Sequence, residues 1–323
     1  MTGEFQGWLD AAAGSDAEFV ERAWRFAVRR SPEDAARDAA LAKLRDGTLS
    51  RAGLLRQLVM SDEFERVALL DTAVAFAAAE RSRPRDVDGP ARPRGLHAPP
   101  ASDERAIEIP WLLARYDGEA RLLDVGYAFA EPAYLAGLVA LGAEVTGVDL
   151  ATADVPGITS VVADVRTLPF ADESFELVFC VSTIEHIGRD NDLYEIDPVR
   201  DESGDAAALR ELRRVVARDG RVLVTVPTGI EDDQGWQVVR TPEQWVERFE
   251  SAGFDVFEDE LYIRAKDGWR SASLDEARCE PYREHGAGAV LLAELRPGSL
   301  AGKLRLAVRD LRHRGDVRRS TLL

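Results

Sequence analysis

The stretch RLLDVGYAFAE, residues 121–131, joins a short apolar strand to a turn at Gly126. A fold that binds a dinucleotide would place Gly-x-Gly-x-x-Gly at such a turn, so that the backbone can approach a pyrophosphate. Gly126 is present, whereas Ala128 and Ala130 stand where further glycines are expected. The turn therefore disfavours a pyrophosphate-containing cofactor such as NAD, and with it an NAD-dependent oxidoreductase.

On both sides of this turn, apolar strands alternate with helices. The predicted strands cover Arg121–Val125, Glu144–Asp149, Thr159–Ala163, Phe175–Val181, Arg221–Val226, Phe254–Ile263 and Ala289–Leu295. The predicted helices cover Pro132–Leu141, Ala206–Val216 and the stretch from Thr241 to about Gly253. Such alternation predicts an α/β protein with an open, mostly parallel sheet. No clear helix separates the last two strands, which predicts a closing antiparallel hairpin.

The chain divides into four parts by composition. Residues 1–80 carry helical patterns and predict a small all-α accessory domain. Residues 81–100 hold five prolines and five arginines, which predicts a linker. The α/β domain then occupies residues 101–297, and residues 298–323 form a basic tail. The tail has seven Lys or Arg and two Asp, and its leucines predict an amphipathic helix. Such a helix either contacts an anionic membrane surface or is simply solvated.

Composition excludes several classes of function. The chain has 323 residues and a formal net charge of −17 at pH 7, which argues against nucleic-acid binding. No stretch approaches the roughly 18 uncharged apolar residues of a membrane span, and the N-terminus lacks a signal-peptide pattern, so we expect a cytoplasmic protein. Two cysteines, Cys180 and Cys279, exclude a disulfide scaffold and a multi-Cys zinc site.

Polar side chains stand at the ends of the predicted strands, where an open α/β sheet binds its ligands. Asp149 ends the second strand, and a carboxylate there can accept hydrogen bonds from both hydroxyls of a ribose. Asp164 follows the third strand and can accept a hydrogen bond from an adenine amino group. Each acid taken alone is also typical of a helix cap or a turn. Their order on successive strands favours a cofactor site.

The series of strand ends resembles the class I S-adenosylmethionine-dependent methyltransferases over about residues 106–295. Asp124-Val125-Gly126 is similar to their first motif, Asp149 to the ribose-binding acid, and Asp164-Val165 to the adenine-contacting pair. The resemblance implies a Rossmann-like fold, S-adenosyl-L-methionine as cofactor and methyl transfer. The cofactor-binding residues that it implies are Asp124, Gly126, Tyr127, Asp149, Leu150, Asp164, Val165 and Ser182. Ala128 and Ala130 depart from the family pattern, but this cofactor contains no pyrophosphate.

Two further resemblances bear on the biological role. Residues 182–188, with Tyr194 and Gly204, are most similar to a bacterial subgroup linked to surface-polysaccharide synthesis. This similarity implies a small-molecule or glycan acceptor that is methylated on a sugar hydroxyl. Residues 16–80 resemble a small bacterial helical domain of unknown function, often found with surface-glycan or secreted proteins, and carry no catalytic assignment.

Transfer to a hydroxyl requires a base, and His186 is the first candidate because imidazole titrates near neutrality. Glu185 is the second candidate, either as the partner of His186 or as the base itself. In the alternative, Glu185 caps the following turn and His186 packs beneath the cofactor. His186 with Asp190 and Asp192 has the residue types of a metal site, but loop acids are usually solvated, so no metal is predicted.

The acceptor site is less clearly marked. Trp236, Tyr262 and Trp269 are candidates to line it because aromatic rings suit sugar faces, although core packing explains them equally well. The missing glycines also leave open a non-catalytic module that binds the cofactor without turnover.

Overall fold

The computed structural model of the protein describes residues 14–82, 93–100, 102–190, 200–283 and 286–298. Asp192, Tyr194 and all but the first residue of the predicted basic tail lie outside these ranges. The hypothesis of a membrane-binding tail therefore has no structural description. Within the described ranges, no helix is both long enough and apolar enough to cross a membrane.

The described residues form helices that precede and flank a central sheet. The helices are α1 (Asp16–Val28), α2 (Asp34–Arg45), α3 (Arg51–Val59), α4 (Asp62–Arg81), α5 (Arg105–Leu113), α6 (Pro132–Val139), α7 (Gly204–Val215), α8 (Pro242–Ser251) and α9 (Leu274–Ala277). The strands are β1 (Arg121–Val125), β2 (Glu144–Asp149), β3 (Ile158–Val162), β4 (Phe175–Val181), β5 (Val216–Thr228), β6 (Asp232–Asp233), β7 (Val238–Val239), β8 (Phe254–Ala265), β9 (Gly268–Ser271) and β10 (Ala289–Pro297).

The central sheet has eight strands in the order β3-β2-β1-β4-β5-β10-β8-β9. The first five are parallel, whereas β10 is antiparallel to both β5 and β8. The predicted fold class is confirmed: the sheet is Rossmann-like and mostly parallel, and β8 and β10 form the antiparallel pair. Strand β9 and the short α9 lie between them along the chain and were not predicted. The strand order reverses between β1 and β4, and ligands bind at such a switch point.

The sheet is held by apolar residues on both faces. Strand β4 has the sequence FELVFCV, and Leu177 to Cys180 are fully buried between β1 and β5, as a central parallel strand requires. Helices α7 and α8 cover one face, and α5 and α6 cover the other. This packing fixes the carboxyl ends of β1 to β4 along one edge.

Three of the four N-terminal helices begin with a side-chain cap, whereas α2 begins after Glu33 without one. Ser15 and Glu18 form a capping box at α1, and Ser50 and Ser61 cap α3 and α4. Helix α4 also packs against α5 and α6, and its Leu70 and Ala77 join the core of the α/β domain.

The C-terminal end of the predicted linker contacts the sheet. The Ala98 N–H donates to the Trp269 carbonyl at 3.2 Å, and the Trp269 N–H donates back at 2.8 Å. The Leu96 N–H donates to the Tyr262 hydroxyl at 3.1 Å. Residues 96–98 are therefore attached to β8 and β9, although they lie within a Pro/Arg-rich stretch.

Candidate active site

The turn after β1 depends on Gly126. Its φ is +85°, and an added Cβ would lie 2.4 Å from the Thr183 hydroxyl oxygen. The Gly126 N–H donates to the Val148 carbonyl at 2.9 Å, which joins the turn to β2. Because only glycine tolerates both the backbone conformation and the close approach, the chain passes tightly between β2 and the end of β4.

The Asp149 carboxylate at the end of β2 is fixed by backbone donors. Its Oδ2 accepts from the Ala128 N–H at 3.0 Å, and its Oδ1 accepts from the Leu150 N–H at 2.7 Å. Leu150 lies beside it at the rim of the cleft and is 37% exposed. Oδ1 also accepts from the Ala151 N–H at 3.4 Å, so the carboxylate is held at the cleft wall and its Oδ2 has a further lone pair for a ligand.

Asp164 follows β3 and is paired with Arg166. The Arg166 N–H donates to Asp164 Oδ1 at 2.8 Å, and Arg166 Nη2 lies 2.5 Å from Oδ2. These hydrogen bonds from the Arg166 side chain, the largest effect, and from its backbone lower the pKa of Asp164. Asp164 is therefore an ionised acceptor at neutral pH, next to the buried Val165.

Asp124 in β1 differs from both of these acids because it is only 1% exposed. Its Oδ1 accepts from the Tyr134 hydroxyl at 2.6 Å, but its Oδ2 has no hydrogen-bond partner within the described residues. Burial raises the pKa of Asp124 to about 7. This unpartnered oxygen belongs to a residue that lines the cleft and suits a hydrogen-bond donor or a cation.

Ser182 ends β4 with a φ of +39°, an unusual conformation for a residue with a side chain. Its hydroxyl donates to Glu108 Oε1 at 2.7 Å, and Arg105 Nη1 donates to Glu108 Oε2 at 2.7 Å. Both Glu108 and Arg105 belong to α5. Arg105 also lines the cleft, so this helix forms part of the site.

Helix α5 was missed because Pro110 lies inside it, and proline normally ends a helix. Six of its nine residues are apolar, and seven are buried in the structure. That apolar content was the available signal. With the helix, its polar residues Arg105 and Glu108 and the preceding Glu104 were also missed.

His186 lines the cleft and has a defined tautomer. Its Nδ1 lies 3.1 Å from the Trp236 carbonyl, which can only accept, so the proton belongs on Nδ1 and Nε2 carries a lone pair. The ring stacks on Trp236 with centroids 5.3 Å apart. Burial lowers the pKa of His186 to about 4, so the imidazole is neutral near pH 7.

Glu185 is 1% exposed and does not line the cleft. Its Oε1 lies 3.7 Å from His186 Nε2, and its Oε2 has no hydrogen-bond partner in the part of the chain that the structure describes. Burial raises the pKa of Glu185 to about 8. Near neutrality the Glu185–His186 pair therefore holds its proton on the carboxyl group, because burial disfavours the charged form of both groups.

The structure brings most of the predicted site residues into one cleft. The predicted residues that line it are Asp124, Gly126, Asp149, Leu150, Asp164, Val165, Ser182 and His186. The side chain of Tyr127 does not line it: Tyr127 is fully buried and its hydroxyl donates to the Ala153 carbonyl at 3.1 Å. Its ring fills the space that Gly147 leaves open, and the cofactor-binding role of Tyr127 stays a prediction.

The predicted aromatic lining is correct for one residue at most. Tyr262 and Trp269 lie in the core, at 0% and 1% exposure, and their polar atoms bond to the chain itself. Trp236 is partly exposed, stacks on His186, and lies edge-on to Tyr282 with ring centroids 6.3 Å apart. Tyr282 was not predicted, and nothing in its sequence context marks it.

No group of three His, Cys, Asp or Glu side chains close enough to hold a metal is found in the described ranges. Asp190 is exposed and Asp192 lies outside those ranges. The metal alternative for His186 therefore has no support from the described side chains.

Comparisons with known proteins agree with this geometry. The family model described as a methyltransferase domain matches residues 123–224, which span β1 to the middle of β5. No curated protein sequence matches the chain significantly.

Solved structures with similar folds include methyltransferases. The YcgJ protein of Bacillus subtilis is 18% identical, covering 60% of this chain and 99% of its own, with a TM-score of 0.40. A TehB-like S-adenosylmethionine-dependent methyltransferase of Corynebacterium glutamicum is 19% identical, covering 59% and 86%, with a TM-score of 0.37. The 1,6-didemethyltoxoflavin-N1-methyltransferase of Burkholderia thailandensis is 16% identical, covering 83% and 93%, with a TM-score of 0.41.

The sheet and the cleft at the ends of β1 to β4 belong to a Rossmann-like fold, and residues 123–224 of it match a methyltransferase domain. This domain supports S-adenosylmethionine as the cofactor in place of NAD. The cleft fits this cofactor. It offers the fixed carboxylate of Asp149, the ionised carboxylate of Asp164 and the unpartnered Oδ2 of Asp124 to a ligand that carries hydroxyl, amino and ammonium groups.

Proposed function

We propose that the enzyme transfers a methyl group to a hydroxyl oxygen of a sugar or glycan intermediate, with His186 as general base. The observation that carries this proposal is the Nε2 lone pair of His186, a neutral imidazole among the cleft-lining side chains. When bound, S-adenosylmethionine supplies a methyl group on a positively charged sulfur, which is already a strong electrophile. The sugar acceptor rests on the resemblance of residues 182–188.

The role of the protein is to orient the hydroxyl and remove its proton. A C–O bond forms and the C–S bond breaks, while the hydroxyl proton passes to His186 Nε2. The Nδ1–H bond to the Trp236 carbonyl keeps Nε2 as the accepting atom. Glu185 Oε1 lies 3.7 Å from Nε2, but its carboxyl group is neutral near pH 7 and would have to ionise before it could stabilise the imidazolium that results.

On the cofactor side, Asp149 would accept hydrogen bonds from ribose hydroxyls and Asp164 would accept one from the adenine amino group. Asp124 Oδ2 would hold the ammonium group. We also assign residues 1–80 as an accessory helical domain joined to the α/β domain by residues 81–100, on the capped helices and the composition of the linker.

The test is methyl transfer to a panel of monosaccharides and nucleotide sugars, with the methylated atom located by NMR. We expect O-methylation, and His186→Ala should lower kcat by about 10²–10⁴-fold with a small effect on cofactor affinity. The exposed His97→Ala serves as the control. Methylation on nitrogen or carbon would refute the oxygen acceptor, and an unchanged kcat in His186→Ala would remove His186 as base.

A second candidate function is a module that binds the cofactor without turnover. The alanines at 128 and 130 favour it, because the family pattern has glycine there. Cofactor binding with no methyl transfer to any acceptor, and no effect of His186→Ala, would support this candidate.

A further inference from the structure

A second group of acids includes Glu185, the chain neighbour of His186. It consists of the buried Glu108 and Glu185 and the partly buried Glu104, which influence one another electrostatically. Glu108 is satisfied because Ser182 and Arg105 each donate to one of its oxygens. Glu104 Oε2 and Glu185 Oε2 are both buried and have no hydrogen-bond partner among the residues that the structure describes.

Two unpartnered carboxyl oxygens in one neighbourhood are costly for the folded protein. Arg105 is the nearby cation, but it donates to Glu108 at 2.7 Å and lies 3.7 Å from Glu131. Its charge is therefore shared among several acids. Burial is the largest effect on both groups and raises the pKa of Glu104 to about 7 and that of Glu185 to about 8. Without a ligand, Glu185 is mostly protonated at pH 7 and Glu104 is about half protonated.

Aromatic rings stand next to these acids. Trp236 stacks on His186 with the planes 27° apart, and Tyr282 is edge-on to Trp236. Burial is the largest effect that raises the pKa of Tyr282, and the charges of Glu104 and Glu185 add to it. Carboxylates together with aromatic faces are the combination that binds a protonated amine, through ion pairing and cation–π attraction.

A neutral polyol would use this arrangement poorly. Its hydroxyls can form hydrogen bonds with the carboxyl groups in their protonated form, but it gains no ionic attraction from them. An ammonium group does gain it, because it favours the charged form of each acid, and its binding would release protons from them. No metal-binding group of three side chains is found in the described part of the chain, so an amine is the better candidate for the cation.

We propose that Glu104 and Glu185 bind a protonated amino group of the acceptor, beside Trp236 and Tyr282. The acceptor is then an amine-bearing sugar or a comparable amino alcohol. This inference rests on the proposed function for the hydroxyl that is methylated, whereas the recognition of the amine is independent of turnover.

The test is an NMR titration of the protein, loaded with S-adenosylhomocysteine, with D-glucosamine and with D-glucose at pH 7. The indole N–H resonance of Trp236, assigned with Trp236→Phe, reports binding. We expect glucosamine to bind at least about tenfold more tightly than glucose, the effect of one favourable ionic contact. Glu104→Gln and Glu185→Gln should each reduce this preference, and the double variant should abolish it.

The glutamine variants are chosen so that a change in binding is not caused by unfolding. Glutamine has the shape of glutamate and the neutral charge that burial favours for both carboxyl groups, so we expect the variants to fold. Glu247→Gln, at an exposed position on α8, is the matched control and should keep the preference. Unfolding curves verify that all four proteins are folded.

Three results would overturn the inference: equal binding of the two sugars, no saturable binding of glucosamine, or an undiminished preference in the double variant. Because no methyl group is transferred in this experiment, its failure leaves the proposed O-methylation standing. Conversely, a selective glucosamine site together with an unchanged rate in His186→Ala would refute only the catalytic proposal.

Discussion

Asp149 and Asp164 line the cleft and Glu104 and Glu185 do not, and these two pairs, on the proposed cofactor and acceptor sides, use carboxylates in opposite ways. On the cofactor side, Asp149 is fixed by two backbone N–H donors and Asp164 is paired with Arg166, which lowers its pKa. On the acceptor side, Glu104 and Glu185 each have a buried oxygen without a partner within the described ranges, and burial raises the pKa of both. The oxygens of the first pair are held by donors before a ligand arrives, whereas burial favours the neutral form of the second pair until one does.

This difference has a physical consequence for recognition. Preorganised acceptors bind neutral donors such as hydroxyl and amino groups without reorganisation. Unpartnered buried acids reject neutral ligands more strongly, because only a cation offsets the free energy of ionising them. The cofactor side should therefore provide affinity, and the acceptor side should provide selectivity.

The most damaging change to the cofactor side is Gly126→Ala. The new Cβ would combine a φ of +85° with a 2.4 Å approach to the Thr183 oxygen, so we expect a loss of roughly 3 kcal/mol or more of unfolding free energy. Affinity for S-adenosylhomocysteine should fall with it. Urea unfolding and calorimetry measure the two effects.

Gly142→Ala is the control that introduces backbone strain without a steric clash, because Gly142 has a φ of +78° but no atom within 4 Å of an added Cβ. This variant should lose only about 1 kcal/mol of unfolding free energy. Equal losses in the two variants would mean that the contact with Thr183 is relieved easily, and the tightness of the turn would no longer explain Gly126.

Asp149→Ala should weaken the binding of S-adenosylhomocysteine by about 10–100-fold. The change removes the proposed ribose acceptor and also the bonds from the Ala128 and Leu150 N–H groups, and hydrogen bonds to a charged group contribute about 1.5–3 kcal/mol. Calorimetry measures the affinity, with the exposed Asp154→Ala as control. An unchanged affinity would refute the ribose assignment and the contrast between the two sides.

The sequence predicts the cofactor side better than the acceptor side, for a physical reason. The bounds of β1, β2 and β4 follow from apolar runs, and the rule that ligands bind at strand ends places Asp149 and Asp164 correctly in the cleft. The acceptor side is assembled from α5, the Trp236 loop and Tyr282, which are far apart in the chain.

Residue type alone does not predict which residues form the proposed acceptor side. Pro110 argues against a helix at α5, so Glu104 and Arg105 were not predicted to lie together. Tyr262 and Trp269 have the same chemistry as Tyr282 and Trp236, yet only packing of the sheet decides which pair is buried in the core. Hydrophobic periodicity predicts local helices and strands, whereas these contacts join residues that are far apart in the sequence.

Glu185→Gln should stabilise the protein in a pH-dependent way. The folded-state pKa of about 8 lies above the ordinary value of 4.5. Below pH 4.5 the carboxyl group is protonated in both the folded and the unfolded protein, so it does not lower the unfolding free energy there. Between pH 4.5 and 8 the unfolded chain ionises while the folded protein does not, and stability falls by up to ~1.4 kcal/mol per pH unit. Glutamine does not ionise, so the variant should have an unfolding free energy on the order of 2 kcal/mol above that of the wild-type protein at pH 7.

Urea unfolding at pH 5 and at pH 7 measures this gain, with Glu247→Gln as the control. The neighbouring charged groups that the expectation includes are Glu104, Glu108, Arg105 and His186. If the advantage of the variant is the same at both pH values, Glu185 is not a buried neutral acid, and the contrast with Asp149 is lost.

The smallest effect is expected from Ala128→Gly, which restores a glycine of the family pattern. Among the described non-glycine residues, positive φ values occur at Arg29, Glu173 and Ser182, so the backbone at 128 does not require glycine. The Ala128 N–H already donates to Asp149 Oδ2, and this bond is independent of the side chain. Cofactor affinity should therefore change by less than about threefold, with a loss of roughly 0.5–1 kcal/mol of stability from the more flexible unfolded chain.

Calorimetry with S-adenosylhomocysteine measures this small effect, and the result distinguishes a methyltransferase from a module that binds the cofactor without turnover. If the Ala128 methyl group obstructed the cleft, the glycine variant would bind more than about tenfold more tightly. Such a gain in affinity would favour the non-catalytic module, because it would show that Ala128 has weakened the cofactor site. An unchanged affinity instead means that the departure from the family pattern is tolerated, because the turn is held by the Gly126 backbone and the Asp149 carboxylate and not by an absence of side chains.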